Sequence, residues 1–346
     1  MPANLKGSVG DAFLDSRYEL TSAIAPGMGG NPVPQLFSNS WRRLSPIMSQ
    51  ALPSLPKQTA SLYSNFIGAA DKLTTTAGAG LNLTPDALKG MARLIAPTSS
   101  ADPLAYNTNV DSGLRGLLGF GAPIPRRQSQ LDLRFAPQGD STIAFASWLV
   151  GAAIAAEPPA NDINQMLPDR NDLENYLTAV KGLLVNLSEK IADKSKLDNE
   201  HKPIYRQIVL TAAWQESCWR QYIKKGTPVA STTGDVGLMQ VNRNTWRGVY
   251  DRQGLNGDIS YNGNAGAEIL LYYLTKHAMR KNEDKQPGGN LARATYSAYN
   301  GGPSAVARYR GVRQSPTWKK VDEAFWSKFQ TVSSGNEMAV KSCYEK

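Results

Sequence analysis

The sequence has little of what metal centres and cysteine-rich scaffolds require. Its 346 residues include two cysteines, Cys218 and Cys343, and two histidines, His201 and His277. Two cysteines exclude a disulfide-dense scaffold and a Cys-rich zinc module. Two histidines leave almost nothing for a His-based metal centre or a Ser-His-Asp triad. We therefore expect neither a metal ion nor a cofactor.

Long hydrophobic runs are also missing. No apolar run reaches the ~20 residues that a membrane-spanning helix needs, so an integral membrane protein is not expected. A fourteen-residue apolar run from Ile143 to Ala156 resembles the core of a signal peptide, but it lies deep inside the chain. A buried helix is the simpler interpretation, and transient membrane contact is the alternative. The first residues, MPANLKGSVGDAF, have no apolar core and predict no secretory signal.

Acidic residues are scarce in the C-terminal part of the chain. Residues 200–346 contain 21 Lys and Arg against 12 Asp and Glu, and the whole chain has a formal net charge of +9. A local basic excess predicts an anionic polymer as partner, either nucleic acid or bacterial cell wall. No helix-turn-helix, zinc-finger or RNA-recognition signature is present, so we expect no specific nucleic-acid binding.

Proline and aromatic residues divide the chain near residue 200. Sixteen of the 21 prolines precede this point and 17 of the 29 aromatic residues follow it. The polar stretch 193–203 marks the boundary. We predict a Pro/Gly-rich, extended or short-helix region for anchoring or assembly at 1–140, a helical region with an apolar segment and an amphipathic helix at 141–199, and a compact domain at 200–346.

Two helices are predicted before residue 200. Thr84-Pro85-Asp86 is a helix start, and Pro97 ends the apolar pattern that follows it. A stronger helix runs from about Asp172 to Lys194. Its apolar stripe is typical of a helix that packs into a core; the stripe comprises Leu173, Tyr176, Leu177, Val180, Leu183, Leu184, Leu187 and Ile191.

One carboxylate stands out after the boundary. A helical pattern starts at Ile204, and Glu216 falls on its apolar face near the helix end. A carboxylate there is costly unless it is paired or neutral with a raised pKa. A raised pKa is what a general acid working near neutral pH requires. Taken alone, Glu216 has a second interpretation, a buried carboxylate paired with Arg220.

Glu216 begins a series of four sequence blocks. They are Glu216-Ser217, the run from Ser231 to Gln240 (STTGDVGLMQ), the run from Asp258 to Gly266 (DISYNGNAG) and the run from Ala298 to Pro303 (AYNGGP). In their order and spacing they resemble the soluble, goose-lysozyme-like lytic transglycosylases, over about residues 204–312. The resemblance implies a mainly α fold: an α+β lysozyme-like catalytic domain with a small β/loop lobe, behind a helical, loop-rich N-terminal region.

The resemblance also implies a reaction. Glu216 would protonate the glycosidic oxygen between N-acetylmuramic acid and N-acetylglucosamine in peptidoglycan. It would then take a proton from the muramyl 6-hydroxyl, which closes a 1,6-anhydro ring without water. Hydrolytic glycosidases usually need a second carboxylate. Asp235 is a candidate for that role, with a solvated loop residue as the alternative.

Further site residues are carried over by position in the blocks. Gln240 and the region of Met239 would line the floor of the glycan cleft, although core packing is the alternative for Met239. Tyr299 would form a hydrogen bond near Glu216 and help to set its protonation, while Asn300 and Ser217 shape the site. The complete substrate-binding set is Ser217, Ser231, Gly237, Leu238, Met239, Gln240, Tyr299 and Asn300.

The two cysteines and the setting of the protein complete the expectations. Cys218 and Cys343 are a candidate disulfide in an oxidising periplasm, with a buried free Cys218 and an exposed Cys343 as the alternative. We expect a virion-associated phage protein that acts in the bacterial periplasm, with residues 1–199 binding other virion proteins. The alternatives are a hydrolytic muramidase of a secretion or conjugation system, exported by a non-classical route, and a structural virion protein with an inactive lysozyme-like domain.

Overall fold

The computed structural model is mainly helical, with a small β lobe, as the sequence predicted. It describes residues 110, 112–126, 163–243, 245–246, 248–285, 289–312 and 314–345, together with the single positions Leu14 and Ser64. The predicted helix after Thr84 and the apolar run from Ile143 to Ala156 lie outside the described residues. No helix within the described ranges is both long enough and apolar enough to cross a bilayer.

Seven α-helices and four short strands are described, in chain order. The helices are α1 (Ser112–Leu118), α2 (Leu173–Lys194), α3 (His201–Ser217), α4 (Arg252–Gly257), α5 (Ile259–Tyr273), α6 (Asn290–Gly301) and α7 (Pro316–Ser333). The strands β1 (Tyr222–Lys224), β2 (Thr227–Pro228), β3 (Asp235–Val236) and β4 (Val241–Asn242) lie between α3 and α4. Short helical turns connect or follow these elements: Ile163–Gln165, Leu274–Ala278, Met279–Lys281, Glu283–Lys285, Pro303–Arg310 and Glu337–Tyr344.

Helix α5 lies at the centre of the core. Twelve of its fifteen residues are buried, and a helix that is covered on all sides belongs to the interior of a domain. Helix α2 places its apolar stripe in the same core. The helix predicted for the 141–199 region therefore packs directly on the helices that follow residue 200. The three-region division of the chain itself stays a prediction.

Helix α3 ends abruptly because two successive residues adopt left-handed backbone conformations. Cys218 has φ 55° and Trp219 has φ 61°, so the helical pattern stops at Ser217. Buried side chains hold this reversal: the hydroxyl of Tyr176 donates to the Trp219 carbonyl at 2.7 Å, and the Trp219 indole donates to the Leu210 carbonyl at 3.0 Å. The reversal leads the chain from the last turn of α3 directly into the β lobe.

The β lobe consists of two antiparallel pairs. Strand β1 pairs with β2, and β3 pairs with β4 with Asp235 opposite Asn242. The tight turn between β3 and β4, residues 237–240, follows from Gly237, whose φ of +74° suits glycine. A Cβ at this position would also collide with the side chains of Asn262 and Gln221.

The block from Asp258 to Gly266 forms the first half of α5 and supports that turn. Asp258 caps the helix by accepting from the backbone N–H groups of Ser260 and Tyr261 at 2.8 and 3.1 Å. One turn later, Asn262 accepts from the Met239 N–H at 2.8 Å and donates to the Val236 carbonyl at 2.8 Å. Residues four positions apart in this block therefore lie on one face of α5, and that face supports the turn.

Part of the predicted 1–140 region packs against the domain. Arg115 of α1 is 1% exposed, donates to the Val249 carbonyl at 3.1 Å and forms a salt bridge with Glu268 at 3.0 Å. The ring of Phe120 lies 6.0 Å from the ring of Trp246, centroid to centroid. Glu268 therefore has a structural role, as the partner of a buried arginine.

Candidate active site

Glu216 lies in the last turn of α3 and is partly buried. Its Oε1 atom accepts a hydrogen bond from the hydroxyl of Tyr296 at 2.8 Å. Arg220 does not form the buried pair considered above: it donates to the Ser217 carbonyl at 3.1 Å and lies over the ring of Tyr344. Among the described residues, Glu216 therefore has no cation in salt-bridge contact.

The pKa of Glu216 is raised from its ordinary value to about 7. Burial of the carboxyl is the largest cause, because a less polar environment disfavours the charged form. The negative charge of Asp235 raises the pKa further. The hydrogen bond from Tyr296 and the charges of Lys328 and Arg308 act in the opposite direction. A carboxyl with this pKa is present in both protonation states near neutral pH, as a group that gives and retakes a proton requires.

Tyr296 is the tyrosine that binds the carboxyl, whereas the sequence analysis expected such a bond near Tyr299. The two residues are one turn apart on α6, so they share a helix face, and their ring centroids are 6.5 Å apart. The hydroxyl of Tyr299 donates to the Met239 carbonyl at 2.6 Å. Tyr296 could have been found from its position three residues before Tyr299, on the same helix face. It was missed because it lies outside the sequence block that contains Tyr299.

The turn of residues 237–240 packs against the end of α3 through its backbone. Ser217 donates to the Leu238 carbonyl at 2.6 Å, and Gln221 accepts from the Leu238 N–H at 2.8 Å. Gln240 donates from its side chain to the Gly237 carbonyl at 2.9 Å. These bonds fix the turn relative to Glu216.

Several residues assigned to substrate binding lie behind the surface. Leu238 and Met239 are 0% exposed and Ser217 is 4% exposed, so their side chains hold the turn in place. This placement agrees with core packing, the alternative interpretation of Met239. Gln240 and Asn300 remain partly exposed. Any contribution of Leu238 or Met239 to glycan binding would be indirect, through the position of the turn.

Asp235 is held by three side chains rather than solvated. Its Oδ2 accepts from Ser231 at 2.5 Å and also from Thr233, and its Oδ1 accepts from Asn242 at 2.8 Å. Ser231 therefore organises the loop around Asp235. The carboxylate is partly buried, and its negative charge raises the pKa of Glu216.

Asn300, at the end of α6, is oriented by a buried ion pair. Arg308 donates to the Asn300 side-chain oxygen at 3.0 Å and binds Asp322 through two bonds of 2.6 and 3.1 Å. The guanidinium also lies 4.2 Å from the centre of the Trp318 ring. The sequence analysis counted Arg308 only within the basic excess of residues 200–346 and did not identify Asp322.

Two residues near Glu216 on α7 were also missed. The ring of Phe325 stacks on that of Tyr296 with centroids 4.0 Å apart, and the side chain of Lys328 donates to Gln215 at 2.6 Å. Helix α7 follows the last of the four blocks, and nothing in its sequence marks these residues as part of a site.

A disulfide joins the end of helix α3 to the C-terminal segment. Cys218 and Cys343 are bonded, with their Cα atoms 6.2 Å apart. Next to it, the hydroxyl of Tyr344 donates to the Cys218 carbonyl at 2.5 Å. The segment Glu337–Tyr344 is thereby attached to α3 at a point two positions after Glu216 in the chain.

One group of described side chains has metal-type ligands close together. These are Asp198, Glu200 and His201, whose ligand atoms lie within 4.8 Å of one another. His201 already pairs with Asp198 at 2.6 Å. The group lies at the start of α3, at the opposite end of the helix from Glu216, and therefore takes no part in the site.

The arrangement agrees with a comparison against protein families. The model described as Transglycosylase SLT domain matches residues 195–321. Residues 195–321 thus resemble a transglycosylase SLT domain, and we refer to this range as the SLT domain. This confirms the resemblance read from the four blocks, and the family comprises lytic transglycosylases that act on peptidoglycan. No curated protein and no solved structure gave a significant match to the chain.

The SLT domain contains Glu216, the turn of residues 237–240, Tyr296 and Asn300. Phe325, Lys328 and Cys343 follow the matched range. The immediate surroundings of Glu216 therefore combine residues from the SLT domain with residues from the helix and segment that come after it.

Proposed function

We propose that this chain cleaves the β-1,4 bond between N-acetylmuramic acid and N-acetylglucosamine in peptidoglycan and forms a 1,6-anhydro product. Glu216 is the catalytic residue. Protonated Glu216 donates its proton to the glycosidic oxygen as the bond to the muramyl C1 breaks. The resulting carboxylate takes the proton of the muramyl 6-hydroxyl as that oxygen bonds to C1, so Glu216 ends protonated and no water is consumed.

The observation that supports this proposal is the state of one carboxyl group. Glu216 has a pKa of about 7, is held through Oε1 by Tyr296, and has no salt bridge to a described residue. A paired structural carboxylate would remain ionised at neutral pH and would be a poor acid.

The environment of Asp235 favours the transglycosylase over the hydrolytic alternative. A hydrolase would need a second carboxylate to activate water or to attack the sugar. Both oxygens of Asp235 already accept hydrogen bonds from Ser231, Thr233 and Asn242. We propose that Asp235 acts on Glu216 through its charge and not as a base.

Zymography tests the assignment of Glu216. Glu216→Gln keeps the shape of the side chain and an oxygen that accepts from Tyr296, so fold and glycan binding are expected to persist while clearing is lost. Clearing by E216Q at the wild-type level would contradict the assignment. If the wild-type chain binds glycan without clearing it, the structural alternative with an inactive domain gains support.

We further propose that the protein belongs to a phage particle and opens the cell wall during genome entry, with residues 1–199 contacting other virion proteins. The support is compositional: the front of the chain is rich in Pro and Gly, which suits a segment that orders against partners. Immunodetection in purified particles tests this role. Detection in host cell fractions but not in particles would favour a secretion or conjugation system.

A further inference from the structure

Helix α7 lies mostly beyond the matched SLT range and presents three residues to the site. Asp322, Phe325 and Lys328 are spaced by three, so they follow one another along one face of the helix. Asp322 binds Arg308, Phe325 stacks on Tyr296, and Lys328 reaches the end of α3. This face brings a cation to the last turn of the catalytic helix.

Neutral groups hold Lys328 at the last turn of α3, at the residue that precedes Glu216 in the chain. Its Nζ donates to the side-chain oxygen of Gln215 at 2.6 Å and lies 5.7 Å from the centre of the Trp214 ring. The side chain is partly buried. In the part of the chain that the structure describes, Lys328 forms no salt bridge, so its charge is not cancelled by a contacting carboxylate.

The groups that act electrostatically on Glu216 come from four elements. They are Tyr296 of α6, Asp235 of β3, Arg308 of the turn Pro303–Arg310 and Lys328 of α7. The charge of Arg308 is largely compensated, because its two bonds to Asp322 are buried, with side chains 10% and 4% exposed. Lys328 has no such partner among the described residues.

Asp235 is the opposing charge. Its described hydrogen bonds come from two hydroxyls and an amide, all neutral. Arg243 interacts with it electrostatically without forming a described salt bridge. Glu216 is thus subject to an anion on the β lobe and a cation on α7, and among the described residues neither charge forms a salt bridge.

We propose that Lys328 is a positioning residue that offsets Asp235 and thereby keeps the ionised form of Glu216 accessible for the second proton transfer. The inference rests on the proposed function, because only a group that both gives and retakes a proton needs this balance. Without Lys328, Glu216 would hold its proton more tightly: it would still serve as an acid, but the base step would weaken near neutral pH.

The direct test is a titration of the Glu216 carboxyl in the full chain. The sample carries ¹³C-labelled glutamate, and Glu216→Gln identifies the signal. We expect Lys328→Met to raise the midpoint by about one pH unit, as loss of a nearby opposite charge does. Asp235→Asn lowers the midpoint, and the K328M/D235N double variant returns towards wild type.

Two control variants separate charge from packing. Lys328→Arg keeps the cation and is expected to titrate like wild type. Lys328→Gln keeps a hydrogen-bond donor for Gln215 but removes the charge, so it follows K328M and provides a second neutral variant if K328M does not fold. A K328Q midpoint equal to that of wild type would overturn the proposal, as would a shift in K328R as large as that in K328Q.

The titration is independent of turnover. If the wild-type chain releases no product from peptidoglycan, the proposed function fails while the titration still measures the balance between Lys328 and Asp235. Where activity is present, the pH–rate profile gives a second readout. Its alkaline limb moves upward in K328M and K328Q and stays in place in K328R; coincident limbs in all four proteins would contradict the role of Lys328.

Discussion

At the scale of single residues, the protonation of Glu216 depends on a few neighbours. Burial raises its pKa and Tyr296 lowers it through a hydrogen bond. The folded chain holds this proton more tightly than the unfolded chain does, since the folded pKa is about 7 and the ordinary value is 4.5. The stability contributed by that proton is therefore complete below pH ~4.5 and is lost as the pH rises through 7.

Tyr296→Phe isolates the hydrogen bond to Glu216. The ring can keep its stacking on Phe325 while the donor is lost, so we expect the pKa of Glu216 to rise by about one unit. The alkaline limb of the pH–rate profile should move upward with it. Tyr309→Phe is the matched control, because it removes a hydroxyl from a different buried carboxylate, Glu283, at 2.8 Å. An unshifted profile in Y296F would contradict the role given to Tyr296.

At the scale of elements, the site is formed where the end of α3, the turn of residues 237–240 and helix α6 meet. The sequence predicted the helices α2 and α3 from their apolar spacing, and the resemblance singled out the block from Asp258 to Gly266, which forms the first half of α5. In the structure the block supplies three residues to one helix face: the capping Asp258, the amide side chain of Asn262 and Gly266. Met239, for which core packing was the alternative to the cleft floor, packs against Gly266.

Gly266→Ala tests this packing. A Cβ on Gly266 would collide with the Met239 side chain, so we expect a loss of about 1–3 kcal/mol in the free energy of unfolding. Gly182→Ala is the matched control: Gly182 is exposed on α2 with open space around its Cβ position, and alanine there should stabilise by about 0.5–1 kcal/mol. Denaturant unfolding measures both. Equal effects of the two substitutions would contradict the close contact.

What the sequence could not supply is contact between distant segments. The helical pattern placed Glu216 on an inward face, and the four blocks brought it together with the turn of residues 237–240. Neither the pattern nor the blocks indicated that Phe325 would stack on Tyr296 or that Lys328 would reach Gln215, because α7 has no motif of its own. The pairing of Arg115 with Glu268 crosses more than 150 positions and has no local signature.

At the scale of the whole molecule, segments on both sides of the SLT domain pack against it. Residues 112–126 bind through Arg115 and Phe120, and the C-terminal segment binds through α7 and the disulfide. The SLT match covers residues 195–321. In this chain the domain therefore shares its core with elements that the match does not include.

Cys343→Ser tests how far the C-terminal segment stabilises the molecule. The disulfide closes a loop with a sequence separation of 125, and such bonds typically contribute about 2–4 kcal/mol, chiefly by restricting the unfolded chain. We expect C343S to lower the free energy of unfolding by that amount in oxidising buffer. In excess reductant the wild type and C343S should unfold together. A difference that persists after reduction would show that the effect comes from packing and not from the bond.

The most direct measurement of the central claim is the product formed from purified peptidoglycan in ¹⁸O-labelled water, identified by mass spectrometry. If Glu216 both gives and retakes the proton, the wild-type chain releases 1,6-anhydromuramyl ends without ¹⁸O, and Glu216→Gln releases none. Reducing muramic acid ends that carry ¹⁸O would contradict the account, because they would show that water is the nucleophile and that a second base, with Asp235 the first candidate, takes part.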